Sequence, residues 1–218
     1  MLRRSCHWLA AALVLVALDA CVSNATVVDG KATVEQAAEK AIVIVSVSHE
    51  STARGASALF IIDGGTPQAA KVRSTAGKLE LPIKNHYRDK YGHVYVLELP
   101  PGHHSITSWF ATWNDRHTTP VSGVPLEFDV ARGQVVYIGN LHVRWLMGKT
   151  PLFNMRAPYA AWATIQDQSA IDIPIAEKMN PAIATRARIA LLPLGPWGKA
   201  PPVPDMAAPG ETDSSSGN

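Results

Sequence analysis

The amino-acid sequence predicts a mainly β protein, an antiparallel β-sandwich with short peripheral helices, and three observations carry that prediction. Leu126, Phe128 and Val130 alternate with Glu127 and Asp129, the period-two pattern of a strand with one buried and one wet face. Ala41 to Ser48 is a nearly continuous β-branched run, as expected of a strand covered on both sides. Tight-turn chemistry joins the apolar segments: Pro101 presets φ for the second residue of a turn, and Gly102 supplies the positive φ that a type II turn needs next. Arg132-Gly133 suits a short hairpin between Leu126–Val130 and the run from Val135 to Leu141. Pro and Gly number 16 and 15 against few long amphipathic runs, which favours strands and turns over helices.

A chain of 218 residues fits one domain with appendages and can bury a full core. Its 20 Lys and Arg nearly balance its 18 Asp and Glu, with no run of one sign. A nucleic-acid-binding face needs clustered cations, so no nucleic-acid partner is expected.

The N-terminus is the most informative stretch. Arg3-Arg4 form a short positive region, and Trp8 to Leu18 form an apolar run too short to span a bilayer as a helix. The run ends in Leu18-Asp19-Ala20-Cys21, which resembles the bacterial lipobox, where a small residue precedes a cysteine that is acylated and becomes the mature N-terminus. Leu18, Ala20 and Cys21 match; Asp19 departs from a position that is ordinarily uncharged. The alternative is an ordinary secretory signal cut after Ala25, with Ser23 and Ala25 as the small residues. Cys6 lies inside the signal, so Cys21 is the one cysteine left and no internal disulfide is expected. Acyl chains contribute about 0.8 kcal/mol per buried methylene, enough for a diacylated or triacylated Cys21 to hold the protein on membrane lipid. Val22, in place of Asp, implies by the same resemblance an outer-membrane lipoprotein facing the periplasm.

Taken in order, residues 1–20 read as the signal, 21–32 as a tether, 33–192 as the sandwich with a short C-terminal helix, and 193–218 as a Pro-rich disordered tail. Thr33 and Gln36 fit a capping box opening a short helix to Lys40. Ala58 to Ile62 reads as the second strand, and Leu79, Leu81 and Ile83 as an edge strand because Pro82 cannot donate to a ladder. Tyr87 to Gly92 reads as a charged turn before the strands Val94–Leu99 and His104–Phe110. His142 to Trp145 extends the strand from Val135, and Leu146 to Arg156 reads as a connection to a strand at Tyr159–Ile165. Asp172 is placed to cap a helix near Pro174 to Met179.

The segments Leu99-Pro100-Pro101-Gly102 and Gly133-Gln134-Val135-Val136-Tyr137-Ile138-Gly139 resemble those of small bacterial envelope lipoproteins with a transthyretin-like, or carboxypeptidase-regulatory-like, sandwich. The resemblance covers residues 41–145 and implies a two-sheet fold of this or a generally immunoglobulin-like kind. It implies no catalytic residues and no cofactor.

Candidate chemistry is sparse. His86, His93, His103, His104, His117 and His142 are the cluster worth weighing, since zinc needs three or four ligands at about 2.0–2.1 Å per nitrogen. Adjacent His103 and His104 point to opposite faces of a strand, which leaves His104, His117 and His142 as the set that would form a metal site if they met at one end. His49-Glu50 lacks the second histidine of a zincin helix, and no nucleophile elbow, phosphate loop or dinucleotide fingerprint occurs. Trp109 and Trp145 fall at strand positions and read as core. Trp113 and His117 fall in the segment after Ala111, where a loop is expected to present them to a protein or glycan partner. The expectation is therefore a non-enzymatic, membrane-anchored binding or structural module, with a histidine-dependent metal-binding protein or hydrolase as the alternative.

Overall fold

A computed structural model describes residues 26–27, 38–50, 55–63, 66, 69–75, 85–113, 116–118, 124–149 and 156–198. Two sheets face each other. The larger has seven strands in the order β1 (Thr26–Val27), β5 (Lys90–Leu99), β2 (Ala41–Glu50), β9 (Val135–Lys149), β10 (Arg156–Gln166), β12 (Gly195–Trp197), and β11 (Arg188–Ile189) also pairs with β9. The smaller runs β4 (Ala70–Arg73), β3 (Ala56–Ile62), β6 (Gly102–Trp113), β7 (Arg116–Thr118), with β8 (Leu126–Val130) on β6. The architecture is the mainly β sandwich that the sequence predicts. It is mixed rather than purely antiparallel, because β2 and β11 both run parallel to β9.

The burial of β2 shows why its sequence is continuously apolar. Ala41, Val43, Val45 and Val47 enter the core between the sheets, while Ile42 and Ile44 face outward. That outer face is not wet: helices α1 (Ser169–Met179) and α2 (Pro181–Ala184) lay Ala176, Ile183 and Ala184 on it. Between the sheets, the Phe60 ring stacks on Trp109 and on Trp197, with centroids 6.2 Å away in each case.

Several expectations change. Arg132-Gly133 closes no hairpin, since β8 pairs with β6 and β9 with β2, so the turn carries the chain from one sheet to the other. Gly133 is needed there because its φ is 71° and its N–H donates to the Lys40 carbonyl at 2.7 Å. Pro100-Pro101-Gly102 also crosses between sheets, with Gly102 at the expected positive φ. The tail does not begin at residue 193. Gly195–Trp197 pair with β10, Trp197 is buried, and its indole N–H donates to the Val124 carbonyl at 2.8 Å. Strand β5 already starts at Lys90, and β9 runs on to Lys149. Asp172 caps nothing; it lies inside α1, as does Pro174. Ala38 and Glu39 are helical, whereas the proposed capping box, the edge strand at 79–83 and the signal lie outside the described residues.

Truncating the ring at the centre of this stack should be costly. Phe60→Ala is expected to lower unfolding free energy by about 3–5 kcal/mol in urea titration; a loss under about 1 kcal/mol would show that the stack does not anchor the core.

Candidate functional site

The residues predicted to present a partner surface are brought together, but in a strand rather than an open loop. Trp113 is the last residue of β6 and opposes Arg116 of β7, and Thr112 opposes His117. Trp113 is half-buried and packs against the inter-sheet core. Its backbone is fixed by the β6–β7 ladder, which a loop assignment did not foresee. Cys21 lies outside the described residues.

The histidines do not assemble. His104, on β6, has both ring nitrogens engaged: Nδ1 with the Asp63 carboxylate at 2.5 Å and Nε2 with the Pro100 carbonyl at 2.7 Å. His142 belongs to the other sheet, and its Nδ1 lies 2.8 Å from the Ser48 hydroxyl. Among the described residues, no three His, Cys, Asp or Glu side chains converge as metal ligands.

The chemistry that the sequence did not reveal lies on the outer face of the large sheet, under α1. Gly139, at φ 120°, marks a bulge in β9 where the pairing slips between Tyr137 and Gly139. Val136 and Ile138 face the core before it, Leu141 and Val143 after it. The slip leaves Tyr137, Asn140 and His142 in line beside Ser46 and Ser48 of β2. Gly92 of β5 pairs with Ser48, and a Cβ there would collide with the Val47 carbonyl oxygen.

These side chains form one directed chain. Each hydroxyl has a single hydrogen, and one assignment satisfies every contact. The His142 Nδ1–H donates to Ser48, and Ser48 donates to Asn140 Oδ1 at 2.9 Å. Asn140 Nδ2 donates to Ser46 at 2.6 Å, and Ser46 donates to Asp172 Oδ2. Tyr137 donates to the same oxygen at 2.7 Å and Tyr87 to Oδ1 at 2.6 Å. The Gln168 backbone N–H donates to the Tyr137 hydroxyl at 3.3 Å. Every hydrogen points towards the fully buried Asp172 carboxylate.

Burial, and next the negative Asp172, push both phenols well above the ordinary tyrosine value, so Tyr87 and Tyr137 stay protonated donors. Lys90 sits 4.4 Å above the Tyr87 ring, and burial lowers its pKa against the opposing pull of Asp172 and Asp89. His142 is pushed down to about 4, by burial first and then by Lys90 and Arg144. A second buried histidine, His49, occupies the inner side of β2; its Nδ1 lies 2.7 Å from the Ser74 hydroxyl, whose oxygen accepts the Ala58 N–H at 2.8 Å. Burial, then His142 and His93, hold His49 down at about 4.

The arrangement resembles a serine–histidine pair only superficially. Ser48 is fully buried and its proton is committed to Asn140, so the chain fastens α1 to the sheet and does not prepare a nucleophile. One signal for it was present in the sequence: Ser46 and Ser48 interrupt a β-branched run with alternate spacing, as do Asn140 and His142 in β9. Polar residues on one face of a doubly covered strand require partners from the covering element. The chain matches no protein-family model, and neither a curated protein nor a solved structure matches it.

Two outcomes are expected. Asp172→Ala strands three hydroxyl donors and should cost about 3 kcal/mol or more, against about 1–3 kcal/mol for Tyr87→Phe; equal small losses would mean that the clasp is dispensable. The buried histidines fold in their neutral forms, with pKa about 4 against 6.5 unfolded, so their stabilisation is complete above pH 6.5 and is lost as the pH falls towards 4. Urea midpoints should fall across that window, and His49→Asn should flatten the slope; an unchanged slope would remove His49 from the account.

Proposed function

We propose that this chain is a bacterial envelope lipoprotein, anchored to the outer membrane through acylated Cys21, whose transthyretin-like sandwich serves as a non-enzymatic binding or structural module. The observation that carries the reading is the apolar run ending in Leu18-Asp19-Ala20-Cys21, with Cys21 the one cysteine beyond the signal. The arrangement of the folded part supports it. Strand β1 begins at Thr26, five residues after Cys21, so little chain separates the anchor from the sheet. Among the described residues, the buried polar groups best suited to chemistry are engaged internally, as His104 is by Asp63 and Ser48 by Asn140. The β6–β7 hairpin, with Trp113 and His117, offers a rigid recognition element for a protein or glycan partner.

The anchor is tested by the intact mass of protein recovered from membranes. Residues 21 onward plus acyl chains are expected, together with release of the Cys21→Ala variant; an unacylated product beginning elsewhere would refute the reading. For the module, His117→Ala should weaken partner association without altering the melting temperature. Trp113→Ala should lower both, because its ring also packs on the core.

A further inference from the structure

Resting on that reading, we infer that the sandwich stands on the bilayer by its Pro100–Gly102 end and holds the Trp113 hairpin away from the lipid. Strand β1 fixes the direction. It runs antiparallel to β5, with Val27 opposite Leu97 and Thr26 opposite Glu98, so the chain preceding Thr26 leaves towards Leu99 and Pro100. Cys21 is five residues upstream, and five peptide units reach at most about 17 Å. The acyl chains are therefore held near that end of the sandwich.

Three connections meet there. The β5–β6 turn at Pro101 and Gly102 lies beside the β8–β9 turn, since Gly102 pairs with Val130, and the Gly133 N–H donates to Lys40 at the start of β2. Pro101, Arg132 and Lys40 are exposed, and this is the surface that meets the phospholipid headgroups. At the opposite end are Arg88, Asp89, the Glu50–Lys90 pair and the Trp113–Arg116 pair. Strand β6 has 12 residues, so Trp113 is about 35 Å from Gly102, twice the reach of the tether. A short tether and a paired β1 together make the lipid-facing and partner-facing ends distinct.

The test uses the full-length protein, purified as the lipoprotein and reconstituted in phosphatidylethanolamine/phosphatidylglycerol vesicles with a fraction of quencher-headgroup lipid. A fluorophore is placed on Arg132→Cys or on Arg88→Cys, both exposed positions. Strong loss of emission is expected at position 132 and little at 88, and a long Gly/Ser insertion between Cys21 and Thr26 should abolish the difference. Equal quenching at both positions, or stronger quenching at 88, overturns the upright orientation while leaving the anchor intact. A difference that survives the insertion overturns the role of the short tether. Protein whose mass shows no acyl chain and which fails to bind vesicles removes the anchoring reading and the orientation with it.

Discussion

A carboxylate taken out of water keeps its place only if its oxygens find donors, and Asp172 finds three hydroxyls on three separate segments. The consequence is larger than one satisfied side chain. Helix α1 buries only Asp172 and Ala176 completely, packs Ile173 and Ile175 partly against the sheet and leaves Ile171 half in solvent, so its apolar contact is incomplete. The hydroxyls of Ser46, Tyr87 and Tyr137 supply a fixed address instead, joining the helix to β2, to β9 and to the segment leading into β5. A directional network of this kind sets the register of a helix on a sheet in a way that interchangeable apolar side chains do not.

Burial on the two faces of the sheet also governs the histidines. His142, 7% exposed on the outer face, is desolvated, and the nearby Lys90 and Arg144 oppose a positive charge there. His49 meets the same constraint from the inner side, where His142 and His93 also oppose a positive charge. Neutrality of both rings is thus a condition of the packing.

Much of the fold was legible because burial writes a simple code. The alternation of Leu126, Phe128 and Val130 marks a strand with one wet face, and the continuous run of β2 marks one covered on both. What was not legible depends on which strand pairs with which. Arg132-Gly133 has the chemistry of a hairpin turn, yet a positive φ serves a crossing between sheets equally well. Trp197 sits in a composition typical of disorder, but one large ring that fills the space beside Phe60 outweighs the local Pro content. The polar chain was hidden for a further reason. Its members come from residues 46 to 172, and the bulge at Gly139 changes the parity that would have linked Tyr137 to Asn140 by counting.

These features bear on the proposed reading as a binding module. The imidazoles of His49, His104 and His142, with the hydroxyls of Ser48 and Ser74, are the groups best suited to chemistry, and each is held by a neighbour inside the sandwich. A side chain held in this way contributes rigidity to the fold. On the proposed reading as a binding module, specificity would come from the ends of the strands, where backbone geometry is set by ladders. Trp113 meets that description: its ring is half inside the core and its backbone is paired, so presenting its outer face to a partner requires little further ordering. On that reading the interior polar clasp and the terminal aromatic are linked, since the first fixes how the covering helix sits on the sheet and the second stands at the end of a paired strand.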